Sequence, residues 1–290
     1  MMCAICPRRC GAERTDLSGA GACGMPALPV VARAALHLWE EPPVSGQRGA
    51  GTVFFSGCPL NCVYCQNDRI SRENFGQCIS PERLREIFLS LAAQGAHNID
   101  LVNPTHFSHV LGAVLEQPLS VPVVWNSGGY ERVETLKTLE GKVQVYLPDF
   151  KYLDAHAAQR YSGAADYPEA AAAAIREMVR QTGPYVLEDG LLKRGVLIRH
   201  LILPGQVAGA RAVMDWVANA FPRGTVLFSL MSQYIPWGHA ARFPELNRTL
   251  RPSERRAAEE YMRNLGLEGY IQSGEAAQER YVPPFDLSGV

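Results

Sequence analysis

The sequence predicts an α/β protein, a partial (β/α)6 barrel with a small N-terminal Cys-rich metal-binding segment. Three observations carry this expectation. Six strand-like runs recur with helix-like runs between them, the alternation that builds a parallel sheet with crossover helices. Three cysteines in Cys58-Pro59-Leu60-Asn61-Cys62-Val63-Tyr64-Cys65 come directly after the first run. Polar residues then gather beyond the later runs, where barrels and open parallel sheets keep their reactive groups.

In chain order, strands are expected at 52–56, 98–103, 121–126, 143–148, 196–203 and 225–230. The clearest helix begins with Ser80 as N-cap and Pro81 at the first helical position, with Leu84, Ile87, Phe88 and Leu91 on one face. Further helices are expected near 106–116, 131–139, 169–182, 207–221 and 252–265, and the run Ala170 to Ala174 has high helix propensity. Residues 1–50 read as a separate segment, broken by Gly19, Gly21, Gly24 and Glu41-Pro42-Pro43; residues 51–290 hold the barrel, a C-terminal helix and a tail.

The C-x3-C-x2-C spacing places three thiolates on a tight loop. Such a set holds three irons of a [4Fe-4S] cluster and leaves the fourth open to a small molecule. A structural zinc wants four ligands, and the nearest further thiol, Cys78, lies beyond a polar loop. The N-terminal segment is too short to bury a good core, and Cys3, Cys6, Cys10 and Cys23 supply four soft ligands to staple it. Either zinc or a second, fully ligated [4Fe-4S] cluster suits them.

The strand ends carry a series of polar residues. Asn103, Thr105 and His106 come after the second strand, Asn126 and Ser127 after the third, Asp149 and Lys151 after the fourth. The fifth contains Arg199, and the sixth runs into Ser229, Met231, Ser232 and Gln233. Asp149 and Lys151 are two apart on an extended segment, so they share a face. Arg199 is expected inside, with the adjacent His200 pointing the other way. His106 is read either as a proton-handling catalytic residue or as a structural histidine at a helix start.

Composition excludes several classes. The chain has 290 residues, 47% hydrophobic and 20% charged, with a formal net charge of -1. That balance gives no electrostatic case for nucleic acid or an anionic membrane. The N-terminus lacks a signal-peptide stretch and no run is long and apolar enough to span a bilayer, so a cytoplasmic protein is expected. Its eight cysteines are then ligands or free thiols before disulfides.

Several motifs together resemble one group. These are Cys6-Pro7-Arg8-Arg9-Cys10 with Ala22-Cys23-Gly24, Ser56-Gly57-Cys58 through Cys65-Gln66-Asn67, and Asn98 through Phe107. Asn126-Ser127-Gly128-Gly129-Tyr130, Tyr146 through Lys151, and Ile198 through Gly205 add to them. The chain resembles the pyruvate formate-lyase activating enzyme-like branch of radical S-adenosylmethionine (SAM) proteins, as a paralogue with an N-terminal Cys motif. The resemblance implies that SAM chelates the open iron and that Tyr64 packs near its adenine. It places Asn126, Ser127, Asp149 and Lys151 around SAM and a bound monovalent cation, with Arg199 reaching the same site. Asn67 belongs to the same implied cofactor-binding set. Gln233 is added to it from its place after the sixth strand, where Met231, Tyr234 and Trp237 read either as lining of the substrate opening or as a hydrophobic lid. The activases' Gly-Gly-Glu-Pro motif is absent; Asn103 and Thr105 stand there and can accept hydrogen bonds from the methionine ammonium.

The resemblance implies an oxidoreductase that reductively cleaves SAM and abstracts a hydrogen from a small molecule, a peptide or a glycyl-radical protein. An electron donor such as flavodoxin or ferredoxin would serve it. The alternatives are a non-catalytic iron-sulfur protein for electron transfer or redox sensing, and a zinc-stapled binding module.

Overall fold

The computed structural model describes residues 2–272 and 283–290. Its elements run β1 (Val30–His37), α1 (Pro42–Ser45), β2 (Ala50–Phe55), α2 (Asp68–Ser71), β3 (Gln77–Cys78), α3 (Pro81–Ala93), β4 (Ile99–Val102), α4 (Ser108–Val114), β5 (Val123–Ser127) and α5 (Val133–Lys137). The second half continues β6 (Val145–Pro148), α6 (Ala155–Ser162), α7 (Tyr167–Thr182), β7 (Val186–Glu188), β8 (Leu191–Leu201), α8 (Val207–Ala220), β9 (Leu227–Met231), α9 (Pro252–Leu265) and β10 (Gly269–Ile271).

The six expected strands are β2, β4, β5, β6, β8 and β9, all parallel and paired in that order, and β10 adds a further parallel strand beyond β9. Their inner and outer residues are nearly all buried, as expected where helices cover a parallel sheet. Among the described residues the sheet path ends at β10 and β3, which do not pair, so the barrel they form is open. It curls nonetheless. Val44 of α1 clusters with Ala50, Val124, Val145, Leu197 and Leu227 from five different strands, so α1 plugs the floor that those strands surround. Helix α3 begins as its sequence dictates: Ser80 Oγ accepts from the Arg83 N–H, and Leu84, Ile87, Phe88 and Leu91 are buried.

Within residues 1–50, β1 joins the same sheet as the barrel strands. β1 pairs antiparallel with β2 from Val31↔Phe55 to His37↔Ala50, because a largely apolar, buried run needs a ladder for its backbone groups. The stretch ahead of the first regular element is residues 2–29. The segment between β6 and α7 forms α6, with Asp154 Oδ1 capping the His156 N–H and Gly163 closing it at φ 61°. Residues 273–282 of the tail are outside the described residues. Residues 283–290 return to β1, where Ala34 N–H donates to Ser288 O at 2.9 Å. Among the described residues no helix is long and apolar enough to cross a membrane.

Candidate functional site

A cavity of about 290 Å³ opens at the C-terminal ends of the parallel strands, and Cys58, Cys62 and Cys65 all line it. Their loop is held from several sides. Arg72, just beyond α2, donates to Asn61 O and Cys62 O at 3.1 and 2.9 Å while Asp68 Oδ1 holds its Nε at 2.8 Å. The sulfurs have donors of their own. Leu60 N–H points at Cys58 Sγ at 3.4 Å, Cys65 Sγ lies 3.2 Å from Ser71 Oγ, and Cys62 Sγ lies 3.1 Å from Ser162 Oγ. Burial pushes the Cys58 thiol far up and Cys65 to about 11. Without a cation to compensate them these sulfurs stay protonated, so metal binding there would release protons.

Across the cavity stand the polar strand ends. Asp149 Oδ2 takes Lys151 Nζ at 2.7 Å and its Oδ1 takes Arg199 Nε at 2.9 Å. Arg199 reaches on to Asn126 Oδ1 at 2.7 Å and to Glu40 Oε2 at 3.2 Å. Burial opposes ionisation of Asp149, yet the two cations beside it hold its carboxyl below the usual range. Asp100 is the opposite case. Burial first, and the nearby Glu40 second, push its pKa well up. Thr52 and Asn126 lie 3.4 Å from its Oδ2, and its Oδ1 has no partner among the described residues.

The sequence-derived residues divide between the cavity and the packing behind it. Tyr64, Asn67, Asn103, Asn126, Ser127, Asp149, Lys151, Arg199 and Gln233 line the cavity with the three cysteines. Asn103 sits there in the left-handed region at φ 59°, its amide donating to Gly57 O. Thr105 does not join them. It is 2% exposed and its hydroxyl donates to Glu131 Oε1 at 3.0 Å, beside Trp125 Nε1 at 2.5 Å on the same oxygen. His106 also turns away: its Nε2–H donates to Ser56 O at 2.7 Å, and burial drives its pKa down to about 3. A neutral imidazole behind the Cys loop is a positioning group with no access to the cavity. His200 points away from Arg199, as alternation requires, its Nδ1–H donating to Phe150 O at 2.7 Å.

The sequence reasoning missed Glu40, Glu41 and Asp100. Glu40 reaches the cavity from the loop between β1 and α1, and Glu41 accepts from Ser229 Oγ at 2.9 Å. No strand-end rule finds a carboxylate threaded through the floor. Asp100 inside an apolar strand, Ile99-Asp100-Leu101-Val102, was the visible signal.

Cys3, Cys6, Cys10 and Cys23 stand within electrostatic range of one another, burial pushing Cys6 up to about 11 with the other three adding to it. Among the described residues no three His, Cys, Asp or Glu side chains converge closely enough to hold one ion. For the Cys58 loop the requirement is different, since a cuboidal cluster takes each thiolate on its own iron. Cys78 stands apart, half-buried, with Asp16 O at 3.8 Å.

The donor set fits a cluster with a polar ligand. Three soft sulfurs with N–H and O–H donors suit iron-sulfur ligation, and Gln233 Oε1, buried in the cavity wall without a partner among the described residues, calls for a donor.

Residues 44–146 match the family of 4Fe-4S single cluster domains, a stretch that contains the cluster loop. An uncharacterized protein of Methanocaldococcus jannaschii is 28% identical over 244 residues, covering 80% of this chain and 67% of that protein. Among solved structures, Streptococcus suis SuiB bound to its precursor peptide SuiA superposes with a TM-score of 0.52 at 11% identity, over 74% of this chain and 46% of SuiB. A mutant of spore photoproduct lyase gives 0.50 at 12% identity, over 79% and 78%. The chain thus spans under half the length of SuiB and most of the lyase, and with both it shares the fold.

Proposed function

We propose that this chain, a member of the radical SAM superfamily by its 4Fe-4S domain and its fold, reductively cleaves SAM and uses the product to abstract a hydrogen atom. The observation that carries the reading is the single cavity shared by Cys58, Cys62 and Cys65 with Asn126, Ser127, Asp149, Lys151 and Arg199. In this reading the three thiolates hold a [4Fe-4S] cluster. Bound there, it supplies the one electron that splits SAM into methionine and a 5′-deoxyadenosyl radical.

The chain's own residues do the rest by positioning. Asn103 and Gln233 offer side-chain oxygens to the methionine ammonium and ribose hydroxyls, and Asn67 lies on the same wall. Lys151 and Arg199 are already neutralised by Asp149 and Glu40, so they orient a carboxylate without drawing a second anion into the cavity. Asp149 is also the residue that would meet a monovalent cation, as a hard oxygen ligand. Tyr64, buried under Tyr234 with its hydroxyl 2.6 Å from that of Tyr152, walls off the loop from water. No protein acid or base is needed, in keeping with a neutral His106 outside the cavity.

Hydrogen abstraction from a small molecule, a peptide or a glycyl-radical partner is the finer reading, with flavodoxin or ferredoxin as donor. The experiment is anaerobic reconstitution with iron and sulfide, then dithionite and SAM, with nucleosides separated by chromatography. The expected product is 5′-deoxyadenosine, absent from Cys58→Ala. A reconstituted protein that forms none is a non-catalytic iron-sulfur protein.

A further inference from the structure

Resting on the cluster assignment at Cys58, Cys62 and Cys65, we propose that Cys3, Cys6, Cys10 and Cys23 form a second thiolate-ligated metal centre that braces the Cys58 corner of the first. The centre takes a second iron-sulfur cluster, in which each thiolate has an iron of its own and the four sulfurs need not meet at one ion.

The sulfurs are dressed alike in both places. In the cluster loop the N–H two residues on points at the sulfur, from Leu60 to Cys58 and from Asn67 to Cys65. The same offset recurs at the N-terminus, from Arg8 to Cys6, from Ala12 to Cys10 and from Met25 to Cys23. Cys10 receives Ala22 N–H as well, and Arg14 Nη1 lies 3.9 Å from Cys3 Sγ. Donors aimed at sulfur in this repeated geometry are the surroundings that cluster-ligating sulfurs take. The backbone supports the same reading. Cys3 N–H donates to Ala12 O and Gly11 N–H to Cys3 O, a clasp closed through left-handed residues Arg9 and Gly11, with Gly24 in that region after Cys23. Such a segment, with four thiols and no regular element before β1, lacks the apolar interior to hold this shape by itself.

The brace is evident in what the segment touches. Arg8, inside the Cys6 to Cys10 turn, donates from Nε to Pro59 O at 2.8 Å and from Nη2 to Ser162 O at 3.2 Å. The Met25 side chain fills the space where a Cβ on Gly57 would lie. Arg14 donates to Met25 O at 3.1 Å and to His106 O at 2.7 Å, and His106 in turn holds Ser56 O. Ser56, Gly57 and Pro59 surround Cys58 in sequence, and each is gripped directly or through one residue by the four-cysteine segment. Metal at the N-terminus therefore fixes the backbone that aims the Cys58 sulfur.

The test reads metal and spectra, with no need for turnover. The full chain carrying Cys58→Ala, Cys62→Ala and Cys65→Ala is reconstituted in separate arms with iron plus sulfide and with Zn²⁺. Retention of about four irons per chain, lost on adding Cys6→Ala and Cys10→Ala, is expected, and one tightly held zinc in place of iron would count against the cluster. Arg8→Ala with all eight cysteines intact should keep both centres, alter the electron paramagnetic resonance signal of the loop cluster, and release iron to a chelator at least threefold faster. Arg8→Lys, which keeps the charge and one carbonyl contact, should restore part of that rate. If the triple variant retains no iron, or if both Arg8 variants match wild type in signal and iron release, the proposal is overturned. A wild type that forms the loop cluster and yields no 5′-deoxyadenosine defeats the functional reading alone.

Discussion

Ser162, the last residue of α6, holds its Oγ 3.1 Å from the Sγ of Cys62, and Tyr152 and Tyr64 extend the contact as a buried chain of hydroxyls at 3.0 and 2.6 Å. A hydroxyl facing a cluster thiolate stabilises the more negative, reduced state. One such bond, at about 1–1.5 kcal/mol, is worth about 40–60 mV in a one-electron couple. Ser162→Ala is expected to lower the midpoint potential of the cluster by that amount, measured by redox titration with electron paramagnetic resonance detection. An unchanged potential would mean that Cys62 carries no iron.

Thr105 and Asn126 separate packing from binding. Thr105 faces Glu131, not the cavity, so Thr105→Val should leave SAM affinity within about twofold of wild type and cost about 1–2 kcal/mol of stability through the buried carboxyl it abandons. Asn126→Ala should weaken SAM binding about tenfold, the loss of one hydrogen bond to a charged partner. Calorimetric titration of the anaerobic protein against SAM distinguishes them; equal losses for the two variants would return Thr105 to the binding site.

The barrel was legible because its strands are apolar runs set between helices, one of them with a strong cap at Ser80-Pro81. The polar strand ends were legible for the same reason: a parallel sheet gathers the residues just beyond its strands at one rim. Thr105 and His106 broke that rule because the chain turns into a single 3-10 turn at Thr105–Phe107, which carries both side chains behind the rim. The β7–β8 hairpin had a visible Asp189-Gly190 signal at φ 50° and 78°. Glu40 had none, since what brings it to Arg199 is the plug formed by α1, a tertiary arrangement that no local pattern encodes.

Asp149 is wedged between Arg199 and Lys151, with its side chain 18% exposed. Asp149→Asn leaves Lys151 without its carboxylate and Arg199 with Glu40 alone. Breaking one side of such a pair costs more than the pair contributes, because the abandoned charges stay desolvated. We expect a loss of about 2–4 kcal/mol in urea unfolding, with Asp149→Asn plus Lys151→Met recovering part of it. If the double variant is less stable than the single, Lys151 is held by something other than Asp149.

Burial keeps His106 and His200 neutral, with pKa values of about 3 and about 4. In the unfolded chain both titrate near 6.5, so between about 6.5 and 4 the unfolded state binds more protons than the folded one. Stability from these two groups is therefore complete above that window and falls as the pH drops into it, by about 1.4 kcal/mol each between pH 7.5 and 5.5. Asp100, Glu41 and Glu131, whose pKa values burial raises, act in the opposite direction as they take up protons in the folded state. The wild-type curve alone is thus a sum of opposing slopes, and the histidines are isolated by difference. A variant with His106→Gln and His200→Gln is less stable than wild type at pH 7.5, and the gap should narrow by about 2–3 kcal/mol at pH 5.5, read from urea midpoints. A gap that is constant with pH would mean that these imidazoles titrate freely in the folded protein, and that the carbonyls of Ser56 and Phe150 accept from charged rings.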